Sequence, residues 1–220
     1  MKAIRINKTV TASNDRDADA VRAYLKEKGI FLVNLMSAAG SGKTTMILRL
    51  VADLRANANI AVMVADLASE TNAEYIEAVG ALTIQIHTDG LISMDAGMTR
   101  VCLNELDLQD TDIVILENIR NEEDPDQPDA GAVKNVIVCS VPEGDEKPLQ
   151  DPGMLRRSDA LLITKADEIP FYDFSIEKVT REAKRLNPEI RIFQISSKYG
   201  EGLGAFELWL LHEAKAWREA

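Results

Sequence analysis

The residues whose types and spacing point most directly to chemistry lie in the string "SAAGSGKTT", Ser37 to Thr45. It follows the apolar run Phe31–Met36 and opens a stretch with helical spacing of apolar residues. The phosphate-binding P-loop pattern is G-x-x-x-x-G-K-[ST]. Ser37 takes the first glycine position, while Gly42, Lys43 and Thr44 fit it. Gly40 and Gly42 permit backbone angles that turn successive N–H groups inward at phosphate oxygens. The cradle is expected to run from Gly40 through Ser41, Gly42, Lys43 and Thr44 to Thr45. Lys43 would reach the β- and γ-phosphates and the Thr44 hydroxyl would ligate Mg²⁺. The helix that opens here adds its positive end.

A second group of residues suggests which base accompanies the phosphates. Thr164-Lys165-Ala166-Asp167 follows the apolar run "ALLIT" and resembles the [NT]-K-x-D guanine signature of GTPases. One carboxylate can accept from both guanine N1–H and N2–H₂, which adenine does not offer. Asp167 would read guanine and Lys165 would lie along the ring. An aspartate after a strand also serves as a plain helix cap. Guanine is favoured by the late position of the motif and by Ser196-Ser197-Lys198, which follow the next apolar run, where GTPases place a loop against the base. A third feature is Glu117, which ends the run "DIVILE". A buried strand that ends in a lone carboxylate often directs it at a magnesium ion. The acids beyond it, Glu122, Glu123, Asp124, Asp126 and Asp129, read either as a solvated loop or as a hard-oxygen metal site.

The elements that must position these groups follow from periodicity. Apolar runs at Phe31–Met36, Ile60–Ala65, Leu82–Ile86, Asp112–Glu117, Asn135–Val141, Ala160–Thr164 and Ile190–Ile195 read as buried strands. Helical spacing predicts helices over residues 13–28, Thr44–Arg55, about 70–79, about 94–106, Ile176–Leu186 and Leu203–Arg218. Strands that are apolar on both faces and alternate with helices call for a doubly wound, mostly parallel α/β sheet. The expected fold is thus a three-layer P-loop NTPase. Residues 1–28 read as an N-terminal helical extension and residues 29–220 as one G domain. In such folds ligands bind beyond the carboxyl ends of the strands, and the candidate residues all lie there.

Composition excludes some partners. The formal net charge of −11 disfavours nucleic acid, whose phosphates need clustered Lys and Arg. No run of about 18 apolar residues is present, so no membrane span is expected. Met1–Val10 lacks the apolar core of a secretion signal. Cys102 and Cys139 are isolated, which fits a reducing, cytoplasmic setting and a role as small buried hydrophobes.

Across nearly its whole length the chain resembles the HypB-type GTPases, which help insert nickel into [NiFe]-hydrogenases. The stretches that carry the resemblance include "FLVNLMSAAGSGKTT", "QIHTDGLISMDAGM", "ILENIRN", "VPEGDEKPLQDPGM", "LLITKADEIP" and "NPEIRIFQISSKYGEGL". The resemblance implies slow GTP hydrolysis and a GTP-promoted homodimer. The partners it implies are a zinc-binding nickel metallochaperone and a hydrogenase large subunit. By position, Asp66 matches the switch I aspartate, as a Mg²⁺-shell residue or a base that orients water. Its other reading is a helix cap. Glu117 matches the glutamate of switch II, holding Mg²⁺ through water. Lys43, Asp66 and Glu117 are then the catalytic candidates, with GTP/GDP and Mg²⁺ as ligands.

The chain departs from that family where metal is handled. The usual Cys-His pair is replaced by Ile92 and Ser93, a further cysteine by Asp124, and a possible carboxylate ligand by Asn72. Ile has no lone pair to give, and a neutral hydroxyl is a poor soft-metal ligand. No nickel or zinc site is therefore expected, although His87 and the acidic loop are alternatives to weigh. Arg120 stands where GTPases place a glycine that lets the backbone approach the γ-phosphate. It either weakens the switch or brings a guanidinium to the phosphate. The expected function is a GTPase of metallocentre maturation with a lost or altered metal site. The alternative is a weakly or non-hydrolysing interaction module that reads GDP against GTP without delivering metal. A weaker alternative is an ATP-using P-loop protein.

Overall fold

In the computed structural model, among the described residues, eight strands form one sheet in the order β1-β4-β3-β5-β2-β6-β7-β8, and their pairings are parallel. The structure describes residues 2–5, 14–38, 40–65, 70–87, 93–119 and 127–220. The strands are β1 (Lys2–Arg5), β2 (Phe31–Ser37), β3 (Ile60–Val64), β4 (Leu82–His87), β5 (Ile113–Ile119), β6 (Lys134–Ser140), β7 (Ala160–Thr164) and β8 (Arg191–Gln194). The helices are α1 (Asn14–Lys28), α2 (Lys43–Leu54), α3 (Glu70–Ala78), α4 (Ala96–Glu105), α5 (Pro152–Arg157), α6 (Ile176–Leu186) and α7 (Leu203–Glu219).

The three-layer, doubly wound architecture expected from the apolar runs is present, and the sheet is parallel throughout. Alternation along the strands sorts side chains onto two faces. Phe31, Val33 and Leu35 of β2 join Ile113 and Ile115 of β5 under α2, α3 and α7. Leu32 of β2 and Val114 and Leu116 of β5 lie under α1 and α4. Met36, Ile137, Cys139 and Ile163 extend that second face under α5 and α6. Burying both faces is what makes these strands nearly free of polar residues.

One difference concerns the N-terminal segment, read as a helical extension. Lys2–Arg5 is a strand, paired with Ile84–His87 of β4. Four residues carry too little pattern to reveal a strand whose partner lies some 80 positions away, and only the open edge of β4 recruits it. The helix that follows is part of the layer: Ala18, Val21 and Leu25 are fully buried with residues of β3, β4 and α4.

The chain runs from β2 outward to β3 and β4, returns to place β5 beside β2, and then fills the other side with β6, β7 and β8. The reversal of direction falls at β2. The loop after β2 therefore sits at the switch point, where neighbouring crossovers part and leave a crevice.

α7 closes the fold. Phe206 stacks on Trp209 at 5.7 Å and meets Phe193 of β8 edge-on at 5.4 Å, and Trp217 donates its indole N–H to Ile30 O at 2.8 Å. The turn into α7 depends on Gly202, at φ 72°, where an added Cβ would lie 1.9 Å from Gln194 O. Gly202→Ala is expected to cost more than about 2 kcal/mol through strain and collision. Thermal unfolding should show a fall of roughly 5–10 °C.

Candidate functional site

The loop between β2 and α2 is built around two left-handed glycines, Gly40 at φ 81° and Gly42 at φ 86°. Gly42 is also the N-cap of α2, with no side-chain cap, a helix start of the kind that can accept an anion. Space is not what requires glycine at 42, because an added Cβ would meet nothing nearer than 3.9 Å. The backbone conformation requires it.

Lys43 turns back into this loop and is only 7 % exposed. Its ammonium donates to Ser37 Oγ, to Ser37 O at 3.4 Å and to Ala38 O at 3.5 Å. Ser37 Oγ also lies 2.6 Å from Ser41 Oγ and 2.8 Å from Ala38 O. A buried ammonium beside the N-terminus of a helix is a setting that suits phosphate.

Thr44, on the first turn of α2, donates its hydroxyl to Glu117 Oε1 at 2.8 Å. Glu117 lies on β5 opposite Leu35 of β2 and Val64 of β3, and it is 2 % exposed. Strand register thus brings together two groups 73 positions apart. A hydroxyl beside a carboxylate is a hard-oxygen pair of the kind Mg²⁺ takes when it also keeps waters and phosphate oxygens. Thr45 is exposed at the mouth of the loop.

The loop after β7 is bonded to the phosphate loop. Thr164 donates its hydroxyl to Ser41 O at 2.6 Å and to Cys139 O at 3.2 Å. Lys165, at φ 55°, reaches Gly40 O at 3.0 Å. Ala166 N–H donates to Ile195 O at 3.1 Å, which ties this loop to the end of β8. Asp167, half-buried, follows on a 3₁₀ turn over Ala166–Phe171.

Ser196 is fully buried; its hydroxyl accepts from Tyr199 N–H, and its own N–H donates to Glu201 O. That side chain shapes the loop and leaves Ser197 and Lys198 nearer the surface. The Lys198 ammonium lies 4.9 Å from the Tyr199 ring centre. Its pKa is raised, first by Tyr199 and further by the charges of Asp167 and Glu168. The two loops expected to flank a base are therefore neighbours. Thr164 as a tether was not visible in sequence, because a threonine ending a strand is ordinary β composition.

Several expected site residues lie outside the described residues: Asp66, Ile92, Arg120 and Asp124, with the acids at 122, 123 and 126. Of His87 and Asn72 only the backbone is described. Ser93 is half-buried. The next residue, Met94, donates its N–H to Asn118 Oδ1 at 3.2 Å, and Asp95 caps α4 through Met98 N at 2.7 Å. Asp129 pairs with Arg22 at 2.6 Å and accepts from Gly131 N–H, so it serves as a structural acid. No three His, Cys, Asp or Glu side chains cluster among the described residues. Cys102 and Cys139 are both buried, and burial pushes the Cys102 thiol up to about 12, far from a metal-binding thiolate. No helix among the described residues is long and apolar enough to cross a membrane.

A cradle of this kind at the switch point of a parallel sheet places the chain in the class of P-loop nucleotide-binding proteins. The family described as "CobW/HypB/UreG, nucleotide-binding domain" matches residues 31–194, and the chain belongs to it. Within that family it is 33% identical over 219 residues to the hydrogenase maturation factor HypB of Rhizobium leguminosarum bv. viciae, a match that covers 100% of this chain and 73% of that protein. It is 35% identical over 219 residues to the hydrogenase/urease maturation factor HypB of Helicobacter pylori (strain J99), covering 97% and 89%. Two crystal structures superpose with a TM-score of 0.84. HypB of Archaeoglobus fulgidus is 29% identical, with 93% of this chain and 100% of that one covered. H. pylori HypB in complex with nickel is 31% identical, with 93% and 96% covered.

The tether makes a prediction of its own. Thr164→Val keeps shape and volume but removes the donor to Ser41 O. It should lower stability by about 1–2 kcal/mol and weaken guanine-nucleotide binding about tenfold in an equilibrium titration. Binding unchanged from that of the unsubstituted protein would show that the tether does not set loop geometry.

Proposed function

We propose that this protein is a GTP-dependent maturation factor of the HypB type, acting in the assembly of a nickel metalloenzyme such as a hydrogenase. The observation that carries the reading is the Thr44–Glu117 contact of 2.8 Å at the mouth of the phosphate loop. It joins the hydroxyl that the P-loop pattern and the carboxylate that the strand pattern assign to the metal side of a nucleotide. The family relationship supports the maturation role.

In this reading Lys43 leaves its contacts in the loop and pairs with the β- and γ-phosphates. The N–H groups of Gly42 to Thr45 orient the phosphate chain, and Asp167 reads the guanine edge beside Lys165, Ser197 and Lys198. Thr44 and Glu117 would hold Mg²⁺, which when bound offsets charge on the phosphate oxygens. Asp66 is assigned to orient the attacking water. Glu117, tied to α2 through Thr44, is the residue through which a change at the γ-phosphate reaches switch II. Nucleotide state would then favour or disfavour a homodimer, with a zinc-binding nickel metallochaperone and a hydrogenase large subunit as partners in the cytoplasm.

Nickel is the cargo here, and the soft ligands that would hold it on this chain are replaced by Ile92, Ser93 and Asp124. Nickel is therefore expected to stay on the partner while this chain supplies the nucleotide switch. The alternative of a module unconnected with metal delivery draws on Arg120 and on the replaced soft ligands, while the family relationship favours maturation.

Two measurements test the reading. Lys43→Ala should abolish tight GTP binding, and Asp167→Asn should relax the preference for GTP over ATP, both read by competition titration. Unchanged affinity in the first, or unchanged preference in the second, defeats the corresponding assignment. Equilibrium dialysis of the GTP-bound protein should show no sub-micromolar nickel or zinc site, and a tight site would restore metal binding to this chain.

A further inference from the structure

The first position of the phosphate loop is a serine, and its side chain is buried against the lysine that should meet phosphate. Ser37 is 1 % exposed. An ammonium carries three donors and no acceptor, and burying one is costly unless those donors are met. The acceptors around Lys43 include two carbonyls at the limit of hydrogen-bond distance, 3.4 and 3.5 Å, and the Ser37 hydroxyl, which is the nearest.

The proton inventory of the hydroxyl is consistent with that role. Ser37 has one proton, and it points to Ala38 O at 2.8 Å. The 2.6 Å contact with Ser41 Oγ is then a bond donated by Ser41. The lone pairs of Ser37 Oγ are left to receive Ser41 and Lys43. Ser41 is itself held from the far side, through the Thr164 hydroxyl on its carbonyl. A glycine here, as in the common pattern, would offer the lysine no such acceptor.

We propose that the Ser37 hydroxyl competes with phosphate for the Lys43 ammonium and thereby sets the affinity for nucleotides that carry β- and γ-phosphates. Charged phosphate oxygens are stronger acceptors than a neutral hydroxyl, so the lysine transfers to them when nucleotide enters. The bond given up to Ser37 is subtracted from the binding energy. Ser37 is thus a positioning residue that acts through Lys43. It keeps the loop formed without ligand and keeps a GDP- or GTP-bound state from becoming too long-lived to exchange. The inference rests on reading the loop as a nucleotide cradle.

The experiment is a competition titration of GTP, GDP and GMP on the full chain and on Ser37→Ala and Ser37→Gly. Both variants should bind GTP and GDP about tenfold more tightly. GMP has no β-phosphate to draw the lysine away, so its affinity should not change. Ser37→Gly restores the common first residue of the pattern and keeps the test available if the alanine variant does not fold. In a Lys43→Met background, Ser37→Ala should leave GDP affinity unchanged. Unchanged or weaker GTP and GDP binding in the Ser37 variants overturns the proposal. So does an equal shift for GMP, which would mark a general change in loop shape. If the unsubstituted protein binds no guanine nucleotide, the reading of the cradle fails, and that outcome is separate because it needs no variant.

Discussion

A parallel strand cannot be reached by a hairpin. Each return needs a crossover that brings the chain back to the same edge of the sheet, and with eight parallel strands every carboxyl end faces one way. That constraint governs this molecule. The phosphate loop, Glu117, the Lys165–Asp167 turn and the Ser196–Lys198 turn are scattered over 160 positions of sequence. They share one edge because β2, β5, β7 and β8 all run toward it. Apolar packing on both faces fixes the register, since a slip of one residue would exchange the two faces and drive Glu117 and Asn118 to the wrong sides.

At that edge the core changes character. Ser37, Ser41, Lys43, Glu117, Asn118, Ser140, Thr164 and Ser196 are all buried, where strand interiors elsewhere hold mostly aliphatic side chains. Buried polar groups must be paired, and here they pair with one another across elements: β2 with α2, α2 with β5, and β7 with the phosphate loop. Ser140 takes part at one remove, its N–H and hydroxyl both given to Glu143 in the turn after β6. Ligand-binding geometry and folding are therefore the same set of bonds. The loop is held in shape by donors and acceptors of the chain itself, on β2, α2 and β7.

Most of the architecture was legible in the sequence because it rests on runs of like residues. Seven strands and the helices α2, α6 and α7 declare themselves by period, and the Gly-Ser-Gly-Lys-Thr string declares the cradle by spacing. Less legible were elements defined by a single distant partner. β1 exists because β4 has an open edge, and α5 is six residues started by Pro152 and capped by Asp151. The 3₁₀ turns at Val141–Glu143 and Lys147–Leu149 are set by prolines and by a capping box rather than by periodicity. Within the site, Lys43, Thr44, Glu117 and Asp167 could be named from type and position. The roles of Ser37 and Thr164 could not, because a hydroxyl has no signature until its acceptor is known, and that of Thr164 lies 123 positions away.

Glu117 and Asn118 are consecutive on β5 and so point to opposite sides of the sheet. One accepts from Thr44 of α2, the other from Met94 at the approach to α4. Met94 also packs in the same apolar cluster as Val114 and Leu116, so β5 meets this side through its core face as well as through that amide. One strand thus carries two adjacent couplings, and a shift of β5 along its axis would pull on the first turn of α2 and on the entry to α4 together.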